Sequence, residues 1–140
     1  MKITDNFSLE EFTRSTTAIA NNIDNTPTAY EKENIIRLVK EILQPIRDKY
    51  GKAITVTSGY RSHVLNRYVK GSSTSQHLKG EAADITSPDN KKLWDIIVDM
   101  INNNEITVGQ LIWEKGTKKC PSWIHISLPY RKTNEILYLY

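Results

Sequence analysis

Cysteine occurs once in 140 residues, at Cys120, so no disulfide can close within the chain. That thiol is read as a small buried side chain rather than a nucleophile, as free cysteines usually are. No apolar run is long enough to cross a bilayer. The opening MKITDNFSLEEF lacks the basic-then-apolar layout of a signal peptide, so the protein as written begins life in the cytoplasm. Strong charge of one sign is missing as well. The net charge of +3 suits contact with an anionic polymer, but no dense Lys/Arg block argues for nucleic acid. The pairs Lys91-Lys92 and Lys118-Lys119 read as solvated surface. Internal repeats and low-complexity stretches are absent. What remains is the composition of an ordinary soluble globular protein, 39% apolar and 25% charged, at the length of one domain spanning 1–140 with a useful core.

Helical and strand signals alternate irregularly. Ser8-Leu9-Glu10-Glu11 has the form of a capping box and should open a short helix carrying Leu9 and Phe12. Thr16 to Pro27, rich in Asn, Thr and Asp, reads as a surface loop. Thr28 and Glu31 form a second capping box. Ile35, Leu38, Val39, Ile42, Leu43 and Ile46 follow at helical spacing as a core stripe, with Pro45 placed to kink or loosen the last turns before Gly51. Ile54 to Ser58 reads as a strand ending at Gly59. Ser62 caps a short helix through Val64, Leu65 and Tyr68, and Gly71 to Thr74 is a flexible loop. Glu81 to Ile85 is a second strand. A helix starting at Pro88-Asp89-Asn90 buries Leu93, Trp94, Ile97, Met100 and Ile101. Gln110 to Glu114 and Trp123 to Leu128 are two further strands, and Ile136 to Tyr140 is a last strand or a docked end. This mixture without βαβ alternation predicts an α+β fold.

The polar stretch SGYRSHVLNRYVKGSSTSQHLKGEAADI, Ser58 to Ile85, holds the residues that suggest chemistry. His77 and Asp84 lie seven residues apart with Gly80 between them, and His125 follows in WIHIS. Two histidines and a carboxylate leave a zinc ion one open position for water, the working part of a hydrolase. Strand alternation puts Ile124, Ile126 and Leu128 on one face and Trp123, His125 and Ser127 on the other. By the same rule Asp84 faces away from Ala83 and Ile85. Each residue has a plainer reading: a hydrogen-bonded histidine, or an aspartate that caps a helix or pairs with a cation.

The blocks SGYRS, SQHLKGEAADI and WIHIS, with the opening FSLEEF and the long helix, resemble the M15 family of zinc D,D- and L,D-type peptidases of bacterial cell-wall peptides. The likeness is nearest to the short branch found in phages, prophages and bacteria. It implies helices packed on a small antiparallel sheet, the fold shared with the Hedgehog signalling domain. It implies one zinc ion held by His77, Asp84 and His125. It gives Arg61 the task of binding substrate or steadying the tetrahedral intermediate, with Ser75 and Gln76 in supporting, substrate-side parts. A planar guanidinium suits the carboxylates of stem peptides. Many relatives carry an acid three positions before the last zinc histidine as general base, and here that position is Ser122. A hydroxyl replaces a carboxylate poorly in that role. Glu114 is the replacement candidate, ahead of Glu81, which sits on the face opposite Asp84, and of His63, which reads as surface. The bond cleaved, the choice between carboxypeptidase and endopeptidase, and the oligomeric state stay open, with a monomer expected. Two rivals also stay open: a zinc-containing module that binds stem peptides without cutting them, and a phage tail or virion-associated part.

Overall fold

The computed structural model describes residues Met1–Tyr140. Strands β1 (Lys2–Thr4) and β2 (Phe7–Ser8) open the chain as a small antiparallel hairpin, too short to leave a period in the sequence. Helix α1 (Glu10–Thr13) follows, with Phe12 buried. Half of the expected capping box is present: the Ser8 N–H donates to the Glu11 carboxylate at 2.6 Å, while Leu9 holds the cap position. The stretch read as a loop contains a further helix, α2 (Thr16–Ala20). Its cap is Ser15, which accepts the Ala18 N–H at 3.1 Å, and Ala18 is its only buried residue. One buried alanine shows no periodicity, so the polar composition dominated the sequence reading.

Helix α3 (Ala29–Leu38) begins with the complete capping box of Thr28 and Glu31. It runs into a π-helical turn, Val39–Leu43, and then into α4 (Gln44–Tyr50). Pro45 has no N–H to give the turn behind it, and the wider turn immediately before Gln44 accommodates that gap. The predicted loosening is therefore a local change of helix pitch. All six residues of the predicted stripe, Ile35 to Ile46, are buried. Helix α5 (His63–Tyr68) is capped by Ser62 on the Leu65 N–H at 3.2 Å. Of its apolar residues only Leu65 is buried; Val64 and Tyr68 are exposed. Helix α6 (Asn90–Asn102) starts from the Asp89 side chain on the Lys92 N–H at 3.1 Å and buries the five predicted residues.

The sheet contains β3 (Thr55–Ser58), β4 (Ala82–Thr86), β5 (Gln110–Glu114), β6 (Trp123–Ser127) and β7 (Glu135–Leu139), in the order β3-β4-β6-β5-β7. Every pairing is antiparallel except β5 with β7, so the tail forms a parallel edge that the likeness to an antiparallel sheet did not include. One face packs Ala83, Ile85, Leu111, Trp113, Ile124 and Ile126 into the same core as α3, α4 and α6. The other face is free to carry polar side chains. Cys120 is exposed rather than buried, because it lies in the polar connection between β5 and β6, beyond the core. No helix is long and apolar enough to cross a membrane.

The core assignment predicts that Ile97→Ala, which removes a fully buried side chain of α6, lowers the unfolding free energy by about 2–5 kcal/mol. Val64→Ala, at an exposed position, should change it by less than about 0.5 kcal/mol. Urea denaturation of both variants checks the pair.

Candidate metal centre

Three elements bring the sequence-predicted residues together. Asp84 on β4 stands directly opposite His125 on β6, which in turn stands opposite Ile112 on β5. His77 arrives from a 3₁₀ turn, Gln76–Lys79, just before β4. Gly80 ends that turn at φ 71°, where a Cβ would stand 2.5 Å from the Glu31 carbonyl oxygen of α3. Only glycine both turns there and packs that closely. From α3, Asn34 Nδ2 donates to the Lys79 carbonyl at 2.9 Å and fixes the turn against the helix.

The side chains converge on one oxygen. Asp84 Oδ1 lies 3.0 Å from His125 Nδ1 and 3.4 Å from His77 Nε2. One ligand atom from each residue falls within 4.8 Å of the others, the condition for holding a metal ion. Tetrahedral zinc with bonds near 2.0–2.2 Å asks for ligand atoms roughly 3.3–3.6 Å apart. The remaining ring nitrogens are already engaged. His77 Nδ1 donates to the Gly59 carbonyl at 2.7 Å, and His125 Nε2 donates to Gln76 Oε1 at 2.9 Å. With the rings neutral this leaves His77 Nε2 and His125 Nδ1 as lone pairs aimed at a carboxylate oxygen, an arrangement that a metal ion relieves and that a second ring proton relieves in its absence. The donor set therefore fits a divalent metal, and Gly59 and Gln76 supply the outer hydrogen bonds that orient its ligands.

Gly59 has a second constraint: a Cβ there would stand 2.5 Å from the Phe12 carbonyl oxygen, so α1 locks the strand end whose carbonyl orients His77. Asp84 is half-enclosed. Burial pushes its carboxyl up, but hydrogen bonds from His125 and His77, and their charges, outweigh burial and hold it well below the usual carboxylate range.

The centre opens into a cleft of about 510 Å³. Arg61 enters it from just beyond β3, donating from Nη2 to Ser75 Oγ at 3.1 Å, while its Nε is buried without a partner. Ser75 Oγ also accepts the His77 N–H at 3.2 Å, so Ser75 links Arg61 to the first predicted ligand. Gln76 is an orienting partner of His125 as well as a lining residue. Glu114 lines the same cleft from β5. Burial first, then the Asp84 charge, push its carboxyl above the ordinary glutamate value. Ser122 donates its N–H to the Glu114 carbonyl at 3.0 Å, so the serine, just ahead of β6, lies beside the end of β5 that carries the acid proposed to replace its usual counterpart. His63 is exposed and lies outside this cleft.

Two cations of the cleft were not singled out in the sequence, Arg131 and Lys132, on the connection between β6 and β7. Arg131 pairs with Glu81, which is 1% exposed and keeps one carboxylate oxygen without a partner. Glu81 is thus a buried counter-charge at the cleft rim. A Glu next to the ligand strand with no assigned cation was the signal, and it needed the fold to find its partner across 50 residues.

A model of the family described as Peptidase M15 matches residues 5–127. The chain belongs to the M15 peptidase family. The M15 match contains all three residues of the metal centre, Arg61 and Glu114, whereas Arg131 and β7 lie beyond it. No curated protein matches the chain. M15 peptidases depend on zinc, and the His77, Asp84 and His125 group is the place in this fold suited to it.

Zinc should raise the melting temperature of the metal-stripped protein, because an ion bound only by the folded state stabilises it. His77→Ala, Asp84→Ala and His125→Ala should each abolish that shift. Gln76→Ala should keep the site but weaken zinc binding by about 10–100-fold. Calorimetric titration with zinc measures both effects.

Proposed function

We propose that this M15 peptidase uses one zinc ion, held by His77, Asp84 and His125, to hydrolyse a D,D or L,D peptide bond in bacterial cell-wall stem peptides. The observation that carries the reading is the convergence of two histidine ring nitrogens on one Asp84 oxygen, at the floor of a cleft edged with cations. Bound zinc lowers the pKa of water to about 7 and polarises a carbonyl oxygen.

The chain's own groups divide the remaining work. Glu114 accepts the proton of the attacking water and returns it to the leaving amine; its raised affinity for protons suits that exchange. Arg61 faces the developing oxyanion or a substrate carboxylate with donors that Ser75 holds in place. Gln76 keeps the His125 ring fixed through the cycle. Lys132 adds positive charge at the rim beside the Glu81-matched Arg131, which favours peptides with free carboxylates. The protein reaches the wall after release from the cell or from a phage particle, and it acts as a monomer.

A second reading has its own observation. Ser122 stands where many relatives carry the general base, which favours a module that holds stem peptides without cutting them. The two readings separate on Glu114→Gln. In the peptidase this variant keeps its zinc and lowers kcat by about 10²–10⁴-fold on purified muropeptides, followed by mass spectrometry of the products. A wild-type protein that is inert with zinc fully loaded decides for the binding module.

A further inference from the structure

Strand β3 is one free edge of the sheet. Its single neighbour is β4, and no backbone hydrogen bond joins Thr55–Ser58 to any element on the other side. That edge is not bare surface. It forms one wall of a second groove of about 510 Å³, whose opposite wall is the α1–α2 segment, including Arg14, Thr16 and Thr17. The groove meets the metal cleft at Arg61, which lines both. A register shift between Val56 and Ser58 puts a bulge in β3, and with the α1–α2 wall it blocks pairing with another sheet. A single extended chain remains the shape that fits.

We propose that the groove beside β3 is a substrate subsite that takes an extended, acidic peptide arm as an added strand. The proposal rests on the peptidase reading above and extends its substrate beyond the reacting bond. Main-chain hydrogen bonds to an exposed edge give such binding its affinity, with side-chain contacts giving selectivity. Four edge residues at 3.3 Å each accommodate about four residues of peptide, roughly 13 Å. The charges favour an acidic arm. Arg14 is exposed and forms no ion pair, and Arg61 closes the groove at the cleft. Glu11, the one acid in the lining, already accepts the Ser8 N–H. The arm continues through Arg61 into the cleft, so binding energy gathered along β3 serves to orient the reacting carbonyl.

Two measurements on the zinc-loaded full chain test this. The first compares cleavage of a tripeptide with that of the same tripeptide lengthened at either end by a glutamate-containing tetrapeptide. Lengthening at one end should raise kcat/KM about tenfold or more. Thr17→Trp, which fills the groove, should bring the ratio of long to short substrate to about one; Val69→Trp serves the same purpose if Thr17→Trp does not fold. The second titrates the isotope-labelled protein with the acidic tetrapeptide alone. The backbone amides of Thr55–Ser58 should shift, and the all-glutamine tetrapeptide should bind more weakly. Unshifted amides, or equal rates for short and long substrates, overturn the subsite. Cleavage of none of these peptides, with muropeptides also intact, counts against the peptidase reading, and the amide titration then decides the groove alone.

Discussion

A histidine whose one proton is committed to a backbone carbonyl has only a lone pair to present on its other side. His77 is in that position, and the group facing its lone pair is a carboxylate oxygen 3.4 Å away. Two acceptors at that distance repel unless positive charge, from a metal ion or a second ring proton, lies between them. The architecture around the centre maintains this tension. Gly59 offers the carbonyl that fixes the proton, Phe12 excludes any larger residue there, and Gly80 with Asn34 sets the turn that carries the ring. On the opposite side, β4–β6 pairing places Asp84 beside His125, and Gln76 performs for that ring what Gly59 performs for His77. Affinity for a cation is thus written into backbone positions as much as into the three ligands.

How much of this could be read from residues alone depended on whether the signal was periodic or relational. The long stripe from Ile35 to Ile46, the β6 alternation and the Thr28–Glu31 box are periodic or local, and each is present in the fold. Asp84 and His125 were legible as same-face residues, though not as direct partners, because strand register is set by pairing rather than by either sequence. Helix α2 escaped because its five residues bury one alanine, and Cys120 was misplaced because a general tendency of thiols says nothing about a hairpin tip. The parallel pairing of β7 with β5, the part of Gln76 and the Glu81–Arg131 pair are relations between distant segments, and no window of sequence contains them.

The cleft is asymmetric in charge. Arg61, Arg131 and Lys132 line it with Glu114 as the one acid of the lining beyond the metal group, while Glu81 lies behind the rim as the counter-charge of Arg131. A buried carboxylate such as Glu81 is costly unless a cation accompanies it. Keeping it just ahead of β4 ties the β6–β7 connection to the start of the ligand strand, so rim and floor hold a constant spacing. Tyr130, on the same connection, accepts a hydrogen bond from Arg37 and donates one to Asn34, the residue that also steadies the Lys79 carbonyl. A chain of contacts from α3 therefore reaches both the turn bearing His77 and the rim.

The metal centre also joins contacts of very different range. His77 and Asp84 are separated by a short turn, whereas Asp84 and His125 lie 41 residues apart. The near pair is joined through the 3₁₀ turn that packs on α3, whereas α6 and β5 lie in the chain between Asp84 and His125. Closing that long loop carries most of the entropic cost of building the site. An ion held by all three residues would join the turn bearing His77 to both β4 and β6, tying near and distant segments at one point.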